Sequence, residues 1–336
     1  MSTTSTRWIH RGVSALLGLV LVAAPVMSPA QAEPTNDGSD RAATEQAATD
    51  QADLPVVWNT GTLLFGGLAR TLVPGWVPAG ANDPDCKLTE ERPRPVILVN
   101  FTTGSGWEWV AGSPYLTNQG FCVRSFNYGN ITGVDQFPIQ AIGDIEKSAE
   151  ELAAYVDEVR AEYGVDKVDL IGWSQGGGMT PHYYLNFLGG AEKVDRFVAI
   201  APGNHGTDGS GLLRADTLGP LAQPILRALL PAFGQQVAGS ELAERVYADG
   251  DTRPGPHYTT IVSKHDEIAT PYANQFLEGD NVTNILLQDG CAQDQSEHIS
   301  IGFSSRTWHF VSNALAPAES TPVPCIRVYP FIGSLR

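Results

Sequence analysis

Length, composition and charge already restrict what this chain can be. Its 336 residues are 42% hydrophobic, which is enough for one large domain with a substantial buried core. The 37 acidic residues outnumber the 21 basic ones, and the formal net charge is -16. A strongly acidic surface repels polyanions, so we expect neither nucleic acid nor an anionic membrane as a partner, and we expect a soluble monomer.

The first 32 residues have the pattern of a secretory signal peptide. Arg7 and Arg11 precede an apolar run from Val13 to Met27, and Ala30-Gln31-Ala32 supplies the small residues of a cleavage site. The alternative is an uncleaved membrane anchor, but the apolar run is shorter than the ~20 residues that a spanning helix needs. We therefore expect residues 1–32 to be removed on export and the protein to be secreted.

The segment that follows differs in composition from the rest of the chain. Residues 33–53 contain no aromatic residue and are rich in Ala, Thr, Asp and Glu, so they bury too little apolar surface to fold alone. We expect this segment to be a flexible leader. Residues 54–336 are expected to form a single catalytic domain.

Export makes the four cysteines candidates for disulfide bonds, because an oxidising compartment permits them. Cys86, Cys122, Cys291 and Cys325 can pair in three ways, and the pairs Cys86–Cys122 and Cys291–Cys325 close the shortest separate loops. A metal site would favour closer spacing such as Cys-x-x-Cys, which the chain lacks. We expect two structural disulfides and neither a bound metal nor a cofactor.

Short apolar, β-branched runs alternate with helical patterns after residue 54, as in a largely parallel sheet covered by helices on both faces. This alternation predicts an α/β fold. Residues 143–163 carry apolar side chains at helical spacing, and Gly164 is a suitable stop. The predicted strands are Pro95–Phe101, Cys122–Tyr128, Val168–Trp173, Phe197–Ala201, His257–Val262 and Val282–Leu287.

Ser174 lies in the pattern Gly172-Trp173-Ser174-Gln175-Gly176, between a predicted strand and a helix-like stretch. A nucleophile elbow needs this context, and it needs small neighbours because the turn brings strand and helix close together. The start of the helix would direct free N–H groups, including that of Gln175, toward negative charge at the reacting centre. The alternative is a glycine-rich turn with an incidental serine. We expect Ser174 to be the nucleophile and Gln175 to be an oxyanion donor.

A second oxyanion donor is expected in the loop that follows the first predicted strand. The sequence there is Asn100-Phe101-Thr102-Thr103-Gly104-Ser105-Gly106. We expect the N–H of Thr102 to bind the oxyanion and its hydroxyl to add a further donor. The alternative is an ordinary loop rich in glycine and threonine.

The general base and its acid partner are sought in the chain order serine, acid, histidine, which an elbow of this kind implies. Only His298 and His309 come late enough, and His298 lies in a polar loop whereas His309 lies in an aromatic stretch typical of packed residues. Asp266 closely follows a predicted strand and is preferred to Glu267. His205 is a candidate for the border of the pocket. Helix or loop positions are expected for His182, His257 and His265.

With these residues in place, the chain resembles the lipase class of α/β-hydrolases, in particular the lipases related to Candida antarctica lipase B and their secreted bacterial counterparts. The matching blocks lie between about residue 86 and residue 325. In order they are PVILVNFTTGSG, GWSQGGG, KVDRFVAIAPGNHGT, KHDEIATP and SEHIS. The resemblance implies an α/β-hydrolase fold, a triad of Ser174, Asp266 and His298, and an oxyanion hole of Thr102 and Gln175.

The same resemblance supports the disulfide pairs Cys86–Cys122 and Cys291–Cys325, and it places Trp173 on the alcohol side of the substrate pocket. One departure concerns the oxyanion loop, which begins with His-Gly or Pro-Gly in many lipases. Here Phe101 stands before Thr102 and cannot adopt glycine-only backbone angles. We therefore expect either a differently shaped loop or an aromatic ring that narrows the acyl pocket.

Residues 208–250 carry large apolar side chains at helical spacing, interrupted by prolines. This pattern is typical either of a small helical lid over the serine, which suits fatty acyl chains at a lipid–water interface, or of a helix packed on the core. We expect a secreted, lipase-like carboxylic-ester hydrolase that cleaves acylglycerols or other fatty esters. The alternatives are a broad esterase, a polyester hydrolase or an acyltransferase on the same triad, and a non-catalytic binding module on the same scaffold.

Overall fold

The computed structural model describes residues 53–61, 73, 76–134, 137–210 and 228–335. The expected signal peptide, all but the last residue of the expected leader, and residues 211–227 of the expected lid lie outside the described residues. The described strands are β1 Val96–Val99, β2 Val123–Ser125, β3 Val168–Trp173, β4 Val194–Ile200, β5 His257–Val262, β6 Val282–Leu286, β7 Val328–Tyr329 and β8 Gly333–Ser334. The described α-helices are α1 Gly112–Asn118, α2 Ile145–Tyr163, α3 Met179–Phe187, α4 Pro231–Gln235, α5 Glu241–Tyr247 and α6 Ser305–Leu315.

Six strands form one parallel sheet in the order β2-β1-β3-β4-β5-β6. The chain runs from β1 outward to β2 and then returns to β3 on the other side of β1. The order of the strands therefore reverses between β1 and β3, and in open α/β sheets ligands bind at such a point, beyond the carboxyl ends of the strands. The loop after β1 and the turn after β3 meet there, so the topology brings the predicted oxyanion loop beside the predicted nucleophile.

The α/β prediction is confirmed, and the strand bounds show where local patterns mislead. Strands β3 and β5 have the predicted limits. Strand β1 ends at Val99 because the chain turns after it, with the N–H of Gly104 bonded to the carbonyl of Phe101 at 2.8 Å. Strand β2 ends at Ser125, where the side chain of Asn82 bonds both to its N–H and to its carbonyl at 2.8 Å. Strands β4 and β6 differ from the predictions by a few residues at their ends.

The sheet separates the apolar core into two layers, because alternate residues of each strand point to opposite faces. In β1, Val96 and Leu98 belong to one layer whereas Ile97 and Val99 belong to the other. Helices α1 and α6 cover the first face through Leu116, Trp308, Val311 and Leu315. Helices α2 and α3 cover the second face through Ala149, Leu152, Val156, Val159, Tyr184 and Leu185.

Helix α2 matches the predicted helix closely, since its start and stop are local. The carboxylate of Asp144 accepts the N–H of Lys147 at 3.1 Å and so caps the helix, which begins at Ile145 rather than at Gly143. Gly164 ends it in the left-handed region with φ +67°.

The described part of the segment 208–250 packs on the core. Residues of α4 and α5 form an apolar cluster with the start of α2 and with α3; its buried members are Ile145, Met179, Ala232, Leu242, Ala243 and Val246. Ser240 caps α5 by accepting the N–H of Ala243. The helical spacing after residue 228 is thus that of packed helices, and the lid stays a prediction for residues 211–227.

A short antiparallel pair, β7–β8, lies in the C-terminal part of the chain, and the sequence patterns do not predict it. Phe331 occupies its turn with φ +58°, a backbone region that non-glycine residues seldom adopt. Within the described residues, no helix is both long and apolar enough to cross a membrane.

Candidate active site

The turn between β3 and α3 holds Ser174 in a strained backbone conformation, with φ +55°. Glycine is required on both sides of it. A Cβ atom on Gly172 would lie 1.6 Å from the carbonyl oxygen of Gly176, and one on Gly176 would lie 2.0 Å from the carbonyl oxygen of Val99. The close approach of strand, turn and oxyanion loop therefore depends on these two glycines.

The chain after Ser174 departs from the predicted continuous helix. Residues Ser174–Gly177 form one 3-10 turn, and α3 begins only at Met179, after a kink at Gly178 with φ -116° and ψ -120°. A Cβ atom at Gly178 would approach the backbone of Gly203 to 2.9 Å, so the kink lets the turn pass close to the loop after β4. Free N–H groups at the start of the turn, rather than those of α3, are thus next to Ser174.

Three side chains from three separate loops form a continuous hydrogen-bonded chain. Ser174 Oγ lies 2.9 Å from His298 Nε2, and His298 Nδ1 lies 2.8 Å from Asp266 Oδ2. All three residues are buried, and Ser174 retains 8% of its surface. Because an ionised carboxylate only accepts, His298 carries its proton on Nδ1 and leaves Nε2 free to accept the proton of Ser174.

Burial and charge shift the pKa values of His298 and Asp266 in opposite directions. Burial alone lowers the pKa of His298, but the negative charge of Asp266 and the hydrogen bond to it outweigh burial and raise that pKa above its ordinary value. Burial alone raises the pKa of Asp266, whereas the charge and hydrogen bond of His298 and the N–H groups of Ala269 and Ile268 lower it overall. The pair is therefore poised to hold a proton on the histidine.

The carboxylate of Asp266 is fixed by four donors. Its Oδ1 accepts the N–H groups of Ile268 at 2.9 Å and Ala269 at 2.8 Å. Its Oδ2 accepts His298 and also the side-chain amide of Gln275, at 3.0 Å. Gln275 donates its second amide hydrogen to the carbonyl of Ala269 at 2.7 Å, which fixes the orientation of the amide because a carbonyl only accepts.

Trp173 lies behind the elbow rather than at an open surface. Its ring has no exposed surface and meets Phe101, Trp109 and Phe303 edge-on. Its indole N–H donates to the backbone carbonyl of His298 at 3.1 Å. In this structure Trp173 supports the histidine from inside the core, and its contact with the alcohol part of a substrate stays a prediction.

The oxyanion loop places Thr102 beside an amide that comes from the other side of the site. Gln236, at the end of α4, donates one amide hydrogen to the carbonyl of Ala232 at 3.0 Å and the other to Thr102 Oγ1 at 2.8 Å. The atom that faces the carbonyl of Ala232 must be the nitrogen, so Thr102 Oγ1 accepts from Gln236. Its own hydroxyl hydrogen is then free to donate elsewhere.

The side chain of Glu108 holds the same loop in place. Its Oε1 accepts the N–H of Phe101 at 2.8 Å, and only 1% of the residue is exposed. Burial raises the pKa of Glu108 well above its usual range, against the smaller opposing effect of that hydrogen bond. Phe101 itself is 8% exposed and packs edge-on against Trp107 and Trp173, so its ring belongs to the core, and its contact with an acyl group stays a prediction.

Gln175 is fully buried, and its side chain is turned away from the reacting centre. The side-chain amide donates to the carbonyl of Ala141 at 2.7 Å. This contact ties the 3-10 turn to the segment before α2 and leaves only the backbone N–H of Gln175 for the predicted oxyanion role.

Three further histidines among the described residues lie apart from the contacts of Ser174, Asp266 and His298. His205 lies after β4 and has Asp251 Oδ1 2.9 Å from Nε2 and the carbonyl of Asn274 2.8 Å from Nδ1. His182 is fully buried among aromatic rings, and burial lowers its pKa to about 3. His309 lies on α6 with its ring centroid 6.1 Å from that of Tyr115, and burial lowers its pKa.

The cysteines form the two pairs with the shortest loops. Cys86 is bonded to Cys122, which lies just before β2. Cys291, in the loop that carries His298, is bonded to Cys325, which follows α6. The first bond lies at the amino end of the sheet, whereas the second lies in the loop of the candidate active site.

Sequence reasoning misses four polar residues of the site: Glu108, Gln236, Gln275 and Glu297. Two of them could have been noticed in the sequence, since Glu108 is a lone charge between two tryptophans and Glu297 directly precedes His298. Gln236 could not, because it lies 134 residues from Thr102 along the chain.

Comparison with known proteins places this geometry in a family. A family model for the alpha/beta hydrolase fold matches residues 94–297, which is more than half of the chain. That range contains the predicted oxyanion loop, the elbow and the turn that carries Asp266, and it ends immediately before His298.

Solved structures are similar in fold. Lipase B of Aspergillus fumigatus superposes with a TM-score of 0.54 and 23% identity, over 74% of this chain and 56% of that chain, so this chain spans little more than half the length of that lipase. The mature form of the lipase BlEst2 of Bacillus licheniformis gives a TM-score of 0.51 and 17% identity, over 70% of this chain and 96% of that chain.

Proposed function

The chain belongs to the α/β-hydrolase family, and from that premise we propose that it is a carboxylic-ester hydrolase that forms an acyl-enzyme on Ser174. The single observation that carries the proposal is the line of contacts from Ser174 through His298 to Asp266, at 2.9 Å and 2.8 Å. A serine, a histidine and a carboxylate in this order activate the serine for attack on an acyl carbon.

The proposed reaction begins when His298 Nε2 takes the proton of Ser174 as Oγ attacks the ester carbonyl. The negative charge that develops on the carbonyl oxygen is stabilised by the backbone N–H groups of Gln175 and Thr102 and by the hydroxyl of Thr102. The protonated His298 then gives its proton to the leaving alkoxide. Water, activated by the same histidine, releases the acid and restores Ser174.

Two features support the donor role of the Thr102 hydroxyl. Gln236 already occupies an acceptor position of Oγ1, so the hydroxyl hydrogen is directed away from it. Glu108 and the turn between Phe101 and Gly104 fix the backbone on which Thr102 lies. A donor fixed before the reaction stabilises charge without a cost of reorganisation.

For the substrate we propose acylglycerols or other fatty esters. The two superposed proteins are named as lipases, which supports this class. We also propose that residues 1–32 direct export, that residues 33–53 are a leader and that the domain acts outside the cell. The two disulfides support this, because such bonds persist in oxidising compartments.

The direct test is hydrolysis of a chain-length series of 4-nitrophenyl esters, beside emulsified triolein and a polyester film, by the wild type and by Ser174→Ala. We expect the variant to lose about 10⁴- to 10⁶-fold in turnover, as other serine hydrolases do when the nucleophile is removed. Ser320→Ala, at an exposed serine, is the matched control and should retain activity.

Labelling by a fluorophosphonate should occur in the wild type and in the control but not in Ser174→Ala. Full activity in Ser174→Ala would refute the nucleophile. Hydrolysis of soluble esters without activity on the emulsion would refute the lipase assignment and leave an esterase.

A further inference from the structure

The loop that carries His298 is attached to a later part of the chain. Residues 291–300, here called the histidine loop, lie against residues 325–334, which contain β7 and β8. Before His298, the links between the two segments include the Cys291–Cys325 disulfide, the N–H of Val328 on the carbonyl of Gln293 at 3.3 Å, and the N–H of Gln295 on the carbonyl of Val328 at 3.2 Å. These links leave the backbone on the carboxyl side of His298 to be fixed by something else.

Glu297 provides that contact. It directly precedes His298 and is only 3% exposed. Its Oε2 accepts the N–H of Ile299 at 2.7 Å, and its Oε1 accepts the N–H of Ser300 at 2.8 Å. Oε1 also accepts the N–H of Phe331, in the turn between β7 and β8, at 2.9 Å. One carboxylate thus connects both sides of His298 to the C-terminal turn.

The charge of this carboxylate also acts on the histidine. Both oxygens accept N–H groups, which the ionised form does best because it only accepts. The other carboxylates around His298 are Asp266, which bonds it directly, and Glu267 on the acid turn; burial and the nearby Glu297 raise the pKa of Glu267. Glu267 and Glu297 favour the protonated His298, in the same direction as the stronger effect of Asp266.

We propose that Glu297 is a positioning residue for the catalytic base, because its carboxylate locks the backbone around His298 to the C-terminal turn. The negative charge of Glu297 also favours the imidazolium form of His298. This inference rests on the proposed function, because it takes His298 as the base of Ser174. When His298 accepts the proton of Ser174, the positive charge forms beside Asp266 and Glu297 together.

The first test is independent of turnover. Imidazole resonances of His298 are titrated by NMR in the wild type, in Glu297→Gln and in Asp169→Asn. The control residue is also a buried carboxylate that accepts a backbone N–H, from Arg196 at 3.1 Å, but it lies in the first half of β3, away from Ser174. We expect Glu297→Gln to lower the midpoint of His298 by ~0.5 pH unit and the control to leave it unchanged.

The second test separates the effect of the charge at residue 297 from the effect of the length of its side chain. The amide of Glu297→Gln has a single oxygen and cannot accept from Ile299 and Ser300 as the two carboxylate oxygens do. We therefore expect kcat for a soluble ester to fall about 10-fold with KM nearly unchanged, as for a misplaced catalytic group. Glu297→Asp keeps the charge but is too short to reach Phe331, so its kcat should fall while the His298 midpoint stays near that of the wild type.

Three results would overturn the inference. They are an unshifted midpoint in Glu297→Gln, a wild-type kcat in both variants, and a lower Tm with neither kcat nor the midpoint changed, which is the signature of a structural role alone. If the wild type hydrolyses no ester, the proposed function fails, and the NMR titration still decides whether Glu297 tunes His298.

Discussion

The elbow around Ser174 and the histidine loop contribute to the same hydrogen-bonded chain, but they are held in opposite ways. The elbow is fixed by neighbours in sequence, since Gly172 and Gly176 allow the turn and β3 leads directly into it. The histidine loop contains no such strand. Its position depends on Cys325, Val328 and Phe331, which are remote in sequence. The proposed nucleophile is therefore held by local structure, and its proposed base is held by tertiary contacts.

The elbow should be the least tolerant part of the molecule. Gly172→Ala places a methyl group 1.6 Å from the carbonyl oxygen of Gly176, a clash with backbone that no side-chain rotation relieves. We expect loss of the folded enzyme or a fall of more than about 10³-fold in kcat, because near-attack geometry is lost. Expression, Tm and turnover of Gly172→Ala measure this, with Gly133→Ala as a control that carries the strain of a positive φ (+71°) but no clash, since its added Cβ meets nothing within 4 Å. Normal activity in Gly172→Ala would contradict the packing argument.

The predicted oxyanion loop, like the histidine loop, is held by a residue that is remote in sequence, because Gln236 donates to Thr102. Removing the hydroxyl in Thr102→Val should lower kcat by about 10²-fold, as for the loss of one oxyanion donor. Gln236→Leu should lower kcat by a smaller factor, because the hydroxyl remains but loses its orientation. In the double variant the effect of Gln236→Leu should largely vanish, which a double-mutant cycle on kcat measures. Additive losses would show that Gln236 acts independently of Thr102.

The two disulfides allow the same comparison, because the loss of either one should lower the free energy of unfolding by a similar amount. They span 36 and 34 residues, so replacing either pair by serine should cost about 4 kcal/mol in the chain-entropy account. Only the loss of Cys291–Cys325 frees the histidine loop. At a temperature where both variants are folded, we expect that variant to lose about 10- to 10²-fold in kcat and the Cys86–Cys122 variant to stay near the wild type. Equal losses in both would contradict the distinction.

The smallest expected effect is a shift in pH dependence. Hydrolysis requires neutral His298, whose pKa is raised, so kcat/KM should fall as the pH decreases through a value above the ordinary ~6.5 of histidine. Asp266→Asn removes the main cause of the increase, so its residual activity should have an acid limb at lower pH. A pH profile with a soluble ester tests both statements, and a limb unmoved in Asp266→Asn would refute the assignment of this pKa.

Local structure could be predicted from the sequence wherever its cause is local. The limits of β3 and β5 follow from short apolar runs and the end of α2 follows from Gly164, whereas the start of α2 lies two residues after the predicted one, where Asp144 caps it. Strand β2 is shorter than its apolar pattern because Asn82, from a distant segment, bonds to Ser125. The kink at Gly178 reflects the approach of the loop after β4, which no pattern within α3 encodes.

The same distinction applies to the site. The serine, acid and histidine follow from motif and order, and the structure brings them within hydrogen-bonding distance. Gln236 and Gln275 act on partners that become neighbours only after folding, so their roles could not be inferred from spacing. The position of Trp173 depends on three aromatic rings from other segments, which turn it into the core.

The attachment of the histidine loop to residues 325–334 also sets an order in time. Cys325 and Phe331 leave the ribosome after His298, so a growing chain that already contains the whole triad still lacks the contacts that fix its base. The Cys291–Cys325 bond adds a requirement for an oxidant. On the proposed function, a newly made molecule would therefore reach its full activity late, after most of the fold has formed.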